Sequence, residues 1–200
     1  ASNAESANIL VRNNGHWRAD TTDPDVVFMA NREREVAMHR KRAAVVGCGG
    51  AGRAIAAALT QSGADVTLVN RSPQRGNHAA ELLRLPYIPL GEFDAGGYAI
   101  VVNATPVGRD DNLAPFRPES LEEDAVVIDL VYGSKPTRLV TGNGKPRRVV
   151  IDGRDVLLTQ VLRQFQLMTG KNMPVAVASD ALGRRVPSTE RMNRACGSAQ

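Results

Sequence analysis

Ala43-Ala44-Val45-Val46-Gly47-Cys48-Gly49-Gly50-Ala51-Gly52 is the stretch on which the reading of this chain turns. Four small apolar residues predict a short buried strand, the glycines a tight turn, and the alanine-rich residues 53–62 a helix. Asp65-Val66-Thr67-Leu68-Val69 predicts a second strand, which ends at Asn70-Arg71-Ser72. Gly47, Gly49 and Gly52 complete a G-x-G-x-x-G spacing between strand and helix, the context in which that spacing marks a dinucleotide pyrophosphate site. Gly47 permits a sharp exit from the strand, Gly49 leaves no side chain between backbone and phosphate, and Gly52 lets the helix pack close to the sheet. Gly50 and Ala51 complete the turn that leads into the helix N-terminus, where unpaired N–H groups and a partial positive charge favour an anion.

The end of the second strand selects the dinucleotide. An NAD site carries Asp or Glu there to accept from the ribose 2′-hydroxyl, whereas this chain has Asn70, then Arg71, with Arg75 about one helical turn on. A carboxylate would repel a 2′-phosphate, and a planar guanidinium grips one through two parallel hydrogen bonds. NADP is therefore the expected cofactor.

Outward from this unit, helix and strand alternate. Residues 74–85 predict a helix broken at Gly76, and Tyr87-Ile88-Pro89-Leu90 a short strand. The apolar runs at 98–103, 125–130 and 148–151 read as strands buried on both faces. Parallel strands joined by crossovers predict an α/β fold, a Rossmann-like doubly wound parallel sheet with helices on both faces. Ligands of such sheets sit beyond the carboxyl ends of the strands, where Asn70, Asn103, Asp129 and Asp152 stand. Upstream, residues 7–12 and 16–20 flank Asn13-Asn14-Gly15 and read as a hairpin. It is too small to fold alone and reads as the remnant of a missing domain. Thr22 or Asp23 is expected to cap the next helix, with Pro24 in its first turn.

Composition excludes several classes. With 42% hydrophobic and 23% charged residues, 200 residues suffice for one core. No apolar run approaches the roughly 20 residues of a membrane span. A signal peptide and a lipidation site are not seen, so a cytoplasmic location is expected. Ser2-Asn3-Ala4 reads as a cloning remnant and is set aside. Cys48 and Cys196 make no disulfide framework, and His16, His39 and His78 lack ligand spacing, so no metal is expected. Arg184, Arg185, Arg191 and Arg194 read as a basic tail rather than a nucleic-acid site, since no aromatic residues accompany them.

Three further segments carry a family likeness. Asn103-Ala104-Thr105-Pro106-Val107-Gly108, Asp129-Leu130-Val131-Tyr132 continuing to Lys135-Pro136-Thr137, and Asp152-Gly153 leading to Gln160 resemble the shikimate dehydrogenase family. The Gly-Cys-Gly-Gly-Ala turn and Asn70-Arg71-Ser72 match its cofactor motifs, and order and spacing agree over residues 8–170. The resemblance implies hydride transfer between NADPH and 3-dehydroshikimate, giving shikimate and NADP. It implies that Asp23 is the catalytic Asp of a Lys–Asp pair, and that Asn8 and Gln160 bind substrate. Tyr132 matches a tyrosine near substrate and nicotinamide, Gly153 a glycine beside the nicotinamide ring, and Thr105 and Pro106 a loop lining the cofactor. Asn103 leads into that loop and Ser72 completes the 2′-phosphate motif.

The departures lie toward the substrate. Thr21 replaces an Asn, Pro24 a Gly, Ile9 a Thr, Asp155 a Gly and Arg109 a Met. The catalytic Lys of the family lies in an N-terminal substrate domain with no counterpart in this sequence. The expected organisation is therefore a remnant of that domain at 1–21, an NADP-binding domain at 22–170, and a helix with a basic tail at 171–200. The piece is expected to be inactive alone and to come from a longer enzyme, with a fusion to dehydroquinate dehydratase as one candidate. Two other readings stand beside it: a non-catalytic NADP-binding sensor, and a quinate/shikimate dehydrogenase.

Overall fold

The computed structural model describes residues 4–133, 135–142 and 147–183, so the expected basic tail and Cys196 lie outside the described residues. Strands β1 (Ile9–Asn13) and β2 (His16–Asp20) form the expected antiparallel hairpin around Asn14-Gly15, both at positive φ. Helix α1 (Asp25–Glu33) leads from it to the main sheet.

That sheet has six parallel strands: β3 (Arg42–Val46), β4 (Asp65–Asn70), β5 (Tyr87–Pro89), β6 (Ile100–Asn103), β7 (Val126–Asp129) and β8 (Val149–Ile151). Their order is β5-β4-β3-β6-β7-β8, so the direction of winding reverses between β3 and β6. A ligand crevice opens at such a reversal. Every residue of β6 and β7 is buried, which is why these strands read as unbroken apolar runs rather than alternating ones.

On one face Val45, Leu68, Val102 and Ile128 pack with Ile55 and Leu59 of α2 (Gly50–Gln61), Ala79 of α3 (Pro73–Leu83) and α1. Val156, from a long later helix, joins the same cluster. The other face is covered differently. Val46, Val69, Val101 and Val127 meet Tyr98, Leu121 and Leu139, which come from the crossovers beside β6 and from the four-residue helix α4 (Arg138–Thr141). Those crossovers contain short 3-10 turns at Leu90–Glu92 and Pro118–Ser120, sealed by the rings of Phe93, Tyr98 and Phe116. Helices thus lie on both faces, but the second is closed mainly by turns. Helices α5 (Gly153–Thr169) and α6 (Val175–Ala181) pack on each other after β8, and α5 also packs on α1.

Four expectations need correction. Helix α2 starts at Gly50, inside the glycine turn, rather than at residue 53. Neither Thr22 nor Asp23 caps α1: Pro24 is its N-cap residue, without a side-chain cap bond, because the Asp23 carboxylate is engaged elsewhere. Ala4, set aside as a remnant, is buried. Helix α3 is continuous through Gly76, and a glycine stands there because a Cβ would lie 2.2 Å from Cε2 of Tyr87. The Tyr87 hydroxyl donates to the Asn70 carbonyl, so the ring has little freedom to yield. Gly76→Ala, favourable by helix propensity alone, is therefore expected to destabilise the fold by about 1–3 kcal/mol through overpacking. Urea unfolding of both proteins checks this, and a stabilised variant would show that the ring moves aside.

Candidate functional site

The glycine turn has the geometry that its spacing predicts. Gly47 sits at φ +107°, and a Cβ there would lie 2.8 Å from the Ala104 carbonyl oxygen. A Cβ on Gly52 would lie 1.8 Å from the Gly47 carbonyl oxygen, so only glycine lets α2 approach the end of β3. Among the described residues, nothing stands within 4 Å of a Cβ on Gly49, the N-cap residue of α2, and no side chain caps this helix. The uncapped N–H groups and open approach fit a phosphate. Ala51 is half-buried in the first turn, and Gly50 lies under the Ser6 side chain. Cys48 between the glycines is buried, which pushes its thiol up to about 11 despite nearby Arg53, and it stays neutral.

Arg53, which the sequence reading passed over, braces this turn. Its guanidinium donates to the carbonyls of Ala4 at 2.9 Å, Glu5 at 2.8 Å and Cys48 at 3.3 Å. Its place directly after the last glycine was the only available signal.

At the end of β4 the side chain of Asn70 holds two turns together. Its Oδ1 accepts from the Cys48 N–H at 3.2 Å, and its Nδ2 donates to the Ser72 carbonyl at 2.9 Å. Ser72 is the N-cap residue of α3, its Oγ accepting from the Arg75 N–H. Arg71 and Arg75 are exposed beside that helix start.

A second centre gathers residues from distant parts of the chain. Asp23 is 7% exposed. Its Oδ1 accepts from Asn8 Nδ2 at 3.1 Å and from Gln160 Nε2 at 2.6 Å, and its Oδ2 from Thr21 Oγ1 at 3.2 Å. Asn8 precedes β1, Asp23 lies between β2 and α1, and Gln160 lies on α5. Burial, the largest influence, pushes the Asp23 carboxyl above its usual range, while the bonds from Thr21, Asn8 and Gln160 pull the other way. Thr22 holds Asn8 in turn, donating its N–H to Asn8 Oδ1 at 2.9 Å and accepting at Oγ1 from Asn8 Nδ2 and from Gln164 Nε2. Gln164 was missed, although its place one turn beyond Gln160 puts both amides on one side of α5.

The two centres share α5. Gly153 opens this helix, and Gln160 follows about 10 Å along its axis, two turns on and on the same side. A Cβ on Gly153 would lie 2.2 Å from the Val131 carbonyl oxygen, so the helix start seats directly on the segment that carries the half-exposed Tyr132. Asp152 is the N-cap residue of α5, in a capping box with Asp155. Asp155 therefore has a local structural reason, since its carboxylate accepts from the Asp152 N–H. Arg154 Nη2 donates to the Gly133 carbonyl at 3.1 Å.

Asn103 is fully buried, and its amide is spent inside the fold on Asp129 and Thr105. Thr105 is partly buried and Pro106 exposed at the following turn. The expected cofactor residues thus line the carboxyl ends of β3, β4, β6 and β8. Of the expected substrate residues, Asn8 and Gln160 converge on Asp23, whereas Tyr132 stands on the segment after β7 against which Gly153 seats.

Comparison with known proteins gives four relevant likenesses. Residues 43–86, the β3-α2-β4-α3 unit, match the family model for ketopantoate reductase PanE/ApbA. The chain is 34% identical over 172 residues to shikimate dehydrogenase (NADP(+)) of Halobacterium salinarum, covering 84% of this chain and 65% of that protein. It is 31% identical over 192 residues to shikimate dehydrogenase (NADP(+)) of Xanthomonas campestris, covering 91% of this chain and 68% of that protein. The crystal structure of shikimate 5-dehydrogenase from Thermus thermophilus, in complex with NADP(H) and shikimate, superposes with a TM-score of 0.78 at 30% identity, covering 91% of this chain and 69% of that one. The chain thus spans about two thirds of the length of the curated relatives it matches.

Proposed function

This chain belongs to the shikimate dehydrogenase family, and we propose that it supplies the NADP(H) site and the Asp23 side of the substrate site of an enzyme reducing 3-dehydroshikimate to shikimate. The observation that carries this reading is the convergence of Asn8 and Gln160 on the buried Asp23 carboxylate, 137 residues apart in the case of Gln160. Nothing in the packing of a nucleotide-binding sheet requires that carboxylate to be there, and burying it has a cost.

When bound, NADPH supplies the hydride. The α2 N-terminus at Gly49 to Gly52 would hold its pyrophosphate, and Arg71 with Arg75 its 2′-phosphate. Asn8 and Gln160 would keep Asp23 turned toward the substrate. Asp23 would share with a Lys the proton passed to the carbonyl oxygen as it becomes a hydroxyl. We assign that Lys to the remaining third of the relatives' length. The outer face of the β1-β2 hairpin supports this assignment: Leu10 and Trp17 are 65% and 67% exposed, and the Arg12 guanidinium lies over the Trp17 ring.

Titration of the chain with NADPH and, separately, NADH tests the cofactor half of this reading. Arg71→Ala is expected to weaken NADPH binding by about tenfold or more, the worth of one or two charge-assisted hydrogen bonds, and to leave NADH binding unchanged. An equal loss for both would remove Arg71 from the 2′-phosphate site. Steady-state assays of the complete protein on shikimate and quinate test the substrate half. NADPH binding without turnover of either acid would favour a non-catalytic binding module.

A further inference from the structure

We infer that Asp129 is a positioning residue for the nicotinamide end of the cofactor site, its buried carboxylate holding the 104–108 turn, Tyr132 and Gly153 in a single arrangement. The inference rests on the cofactor reading above and adds to it a residue that touches neither cofactor nor substrate.

With the pyrophosphate at the start of α2 and the adenosine half toward the end of β4, the nicotinamide half must extend over the ends of β6 and β7. Asn103 and Asp129 are the last residues of those strands, paired in register and both 0% exposed. Asp129 Oδ1 accepts from Asn103 Nδ2 at 2.9 Å and from the Val131 N–H at 3.1 Å, while Oδ2 accepts from Thr137 Oγ1.

The first bond sets the polarity of a whole turn. Because Asn103 directs its NH2 at a carboxylate, its Oδ1 faces the other way and accepts from both the N–H and the Oγ1 of Thr105, at 3.0 and 2.7 Å. Thr105 Oγ1 then accepts from the Val107 N–H at 3.2 Å. A flipped amide would set oxygen against an acceptor oxygen and NH2 against an N–H donor, so Asp129 Oδ1, held as an acceptor by the Val131 N–H, selects one orientation. The second bond fixes Val131, beside Tyr132, and the Val131 carbonyl is the surface on which Gly153 seats. The third fixes Thr137, whose methyl would lie 3.3 Å from a Cβ on Gly108 at the far end of the same turn.

A packed sheet alone does not call for this arrangement. Apolar residues at the ends of β6 and β7 would close the core with no buried charge to solvate. Burial indeed pushes the Asp129 carboxyl upward, with Asp152 adding to the effect and the three hydrogen bonds opposing it.

Two ligands separate positioning from general stability: NADPH, which occupies both halves of the site, and 2′,5′-ADP, which carries only the adenosine half and its phosphates. Asp129→Leu is expected to bind 2′,5′-ADP as the unaltered chain does and to lose about tenfold or more in NADPH affinity. Asp129→Asn keeps an acceptor for Asn103 and Val131 and can turn its NH2 toward Thr137 Oγ1, so it should recover most of that loss. If Asp129→Leu does not unfold cooperatively, Thr137→Val removes one arm at nearly constant volume and should weaken NADPH several-fold, again sparing 2′,5′-ADP. Unchanged NADPH affinity in these variants, or a parallel loss of both ligands, overturns the positioning role. Equal affinity of the unaltered chain for the two ligands overturns it too and leaves the cofactor reading intact. Binding of neither ligand overturns the cofactor reading, and the positioning role falls with it.

Discussion

Asp23→Asn in the complete protein is expected to lower kcat by about 10²–10⁴-fold, the contribution of a positioned acid–base group, while NADPH binding by this chain stays as it was. The substitution is nearly isosteric and retains one oxygen to accept from Asn8 and Gln160, so geometry survives and proton exchange does not. Stability supplies an independent check. Burial raises the Asp23 carboxyl above its ordinary 3.8, so between that value and the folded one the native chain holds more protons than the unfolded chain. The contribution of Asp23 to stability is fully present below the unfolded value and is lost as pH rises through the folded one. Asp25 and Asp129 are shifted in the same direction, so the difference between the two proteins, not the slope of either, isolates Asp23. The Asn variant should therefore be at least as stable as the unaltered chain at neutral pH and lose its advantage on acidification. Urea unfolding across that range, with steady-state kinetics of the complete protein, tests both arms. A variant less stable at neutral pH would mean that the carboxylate stabilises the fold outright, and retained turnover would remove Asp23 from the proton path.

Gly52→Ala and Gly49→Ala should separate packing from binding. The Gly52 methyl would sit 1.8 Å from the Gly47 carbonyl oxygen, and Gly47 is itself confined by its positive φ, by the Ala104 carbonyl and by its N–H bond to Val69. Backbone faces backbone, so nothing flexible can yield. About 3 kcal/mol or more of stability should be lost, at the upper end of overpacking, and NADPH binding with it. Among the described residues the Gly49 methyl meets nothing within 4 Å, so thermal unfolding should hardly change. NADPH binding should nonetheless fall, since the methyl would occupy the path by which a phosphate approaches the α2 N-terminus. A Gly49→Ala chain that binds NADPH normally would move the pyrophosphate off this turn.

Local chemistry made much of this legible without coordinates. Gly47, Gly49 and Gly52 report backbone conformation and close approach directly, and the all-apolar β6 and β7 report burial on both faces, so both the dinucleotide turn and the parallel sheet could be read from residue order. Where a residue answered to a distant neighbour, the reading failed. Gly76 looked like a break in a helix because the Tyr87 ring that requires it lies on another element. Asp23 looked like a cap because sequence offers the nearest helix as its partner, whereas its partners include Asn8 and the distant Gln160. The cost of burying a polar group is met by whichever donors the fold brings within about 3 Å, and chain separation does not enter that condition. Residue order alone determined the strand-turn-helix unit, the glycines of its turn and the family likeness. Only the tertiary structure decided that Asn8, Asp23 and Gln160 share one carboxylate, and that the ends of β6 and β7 hang on another.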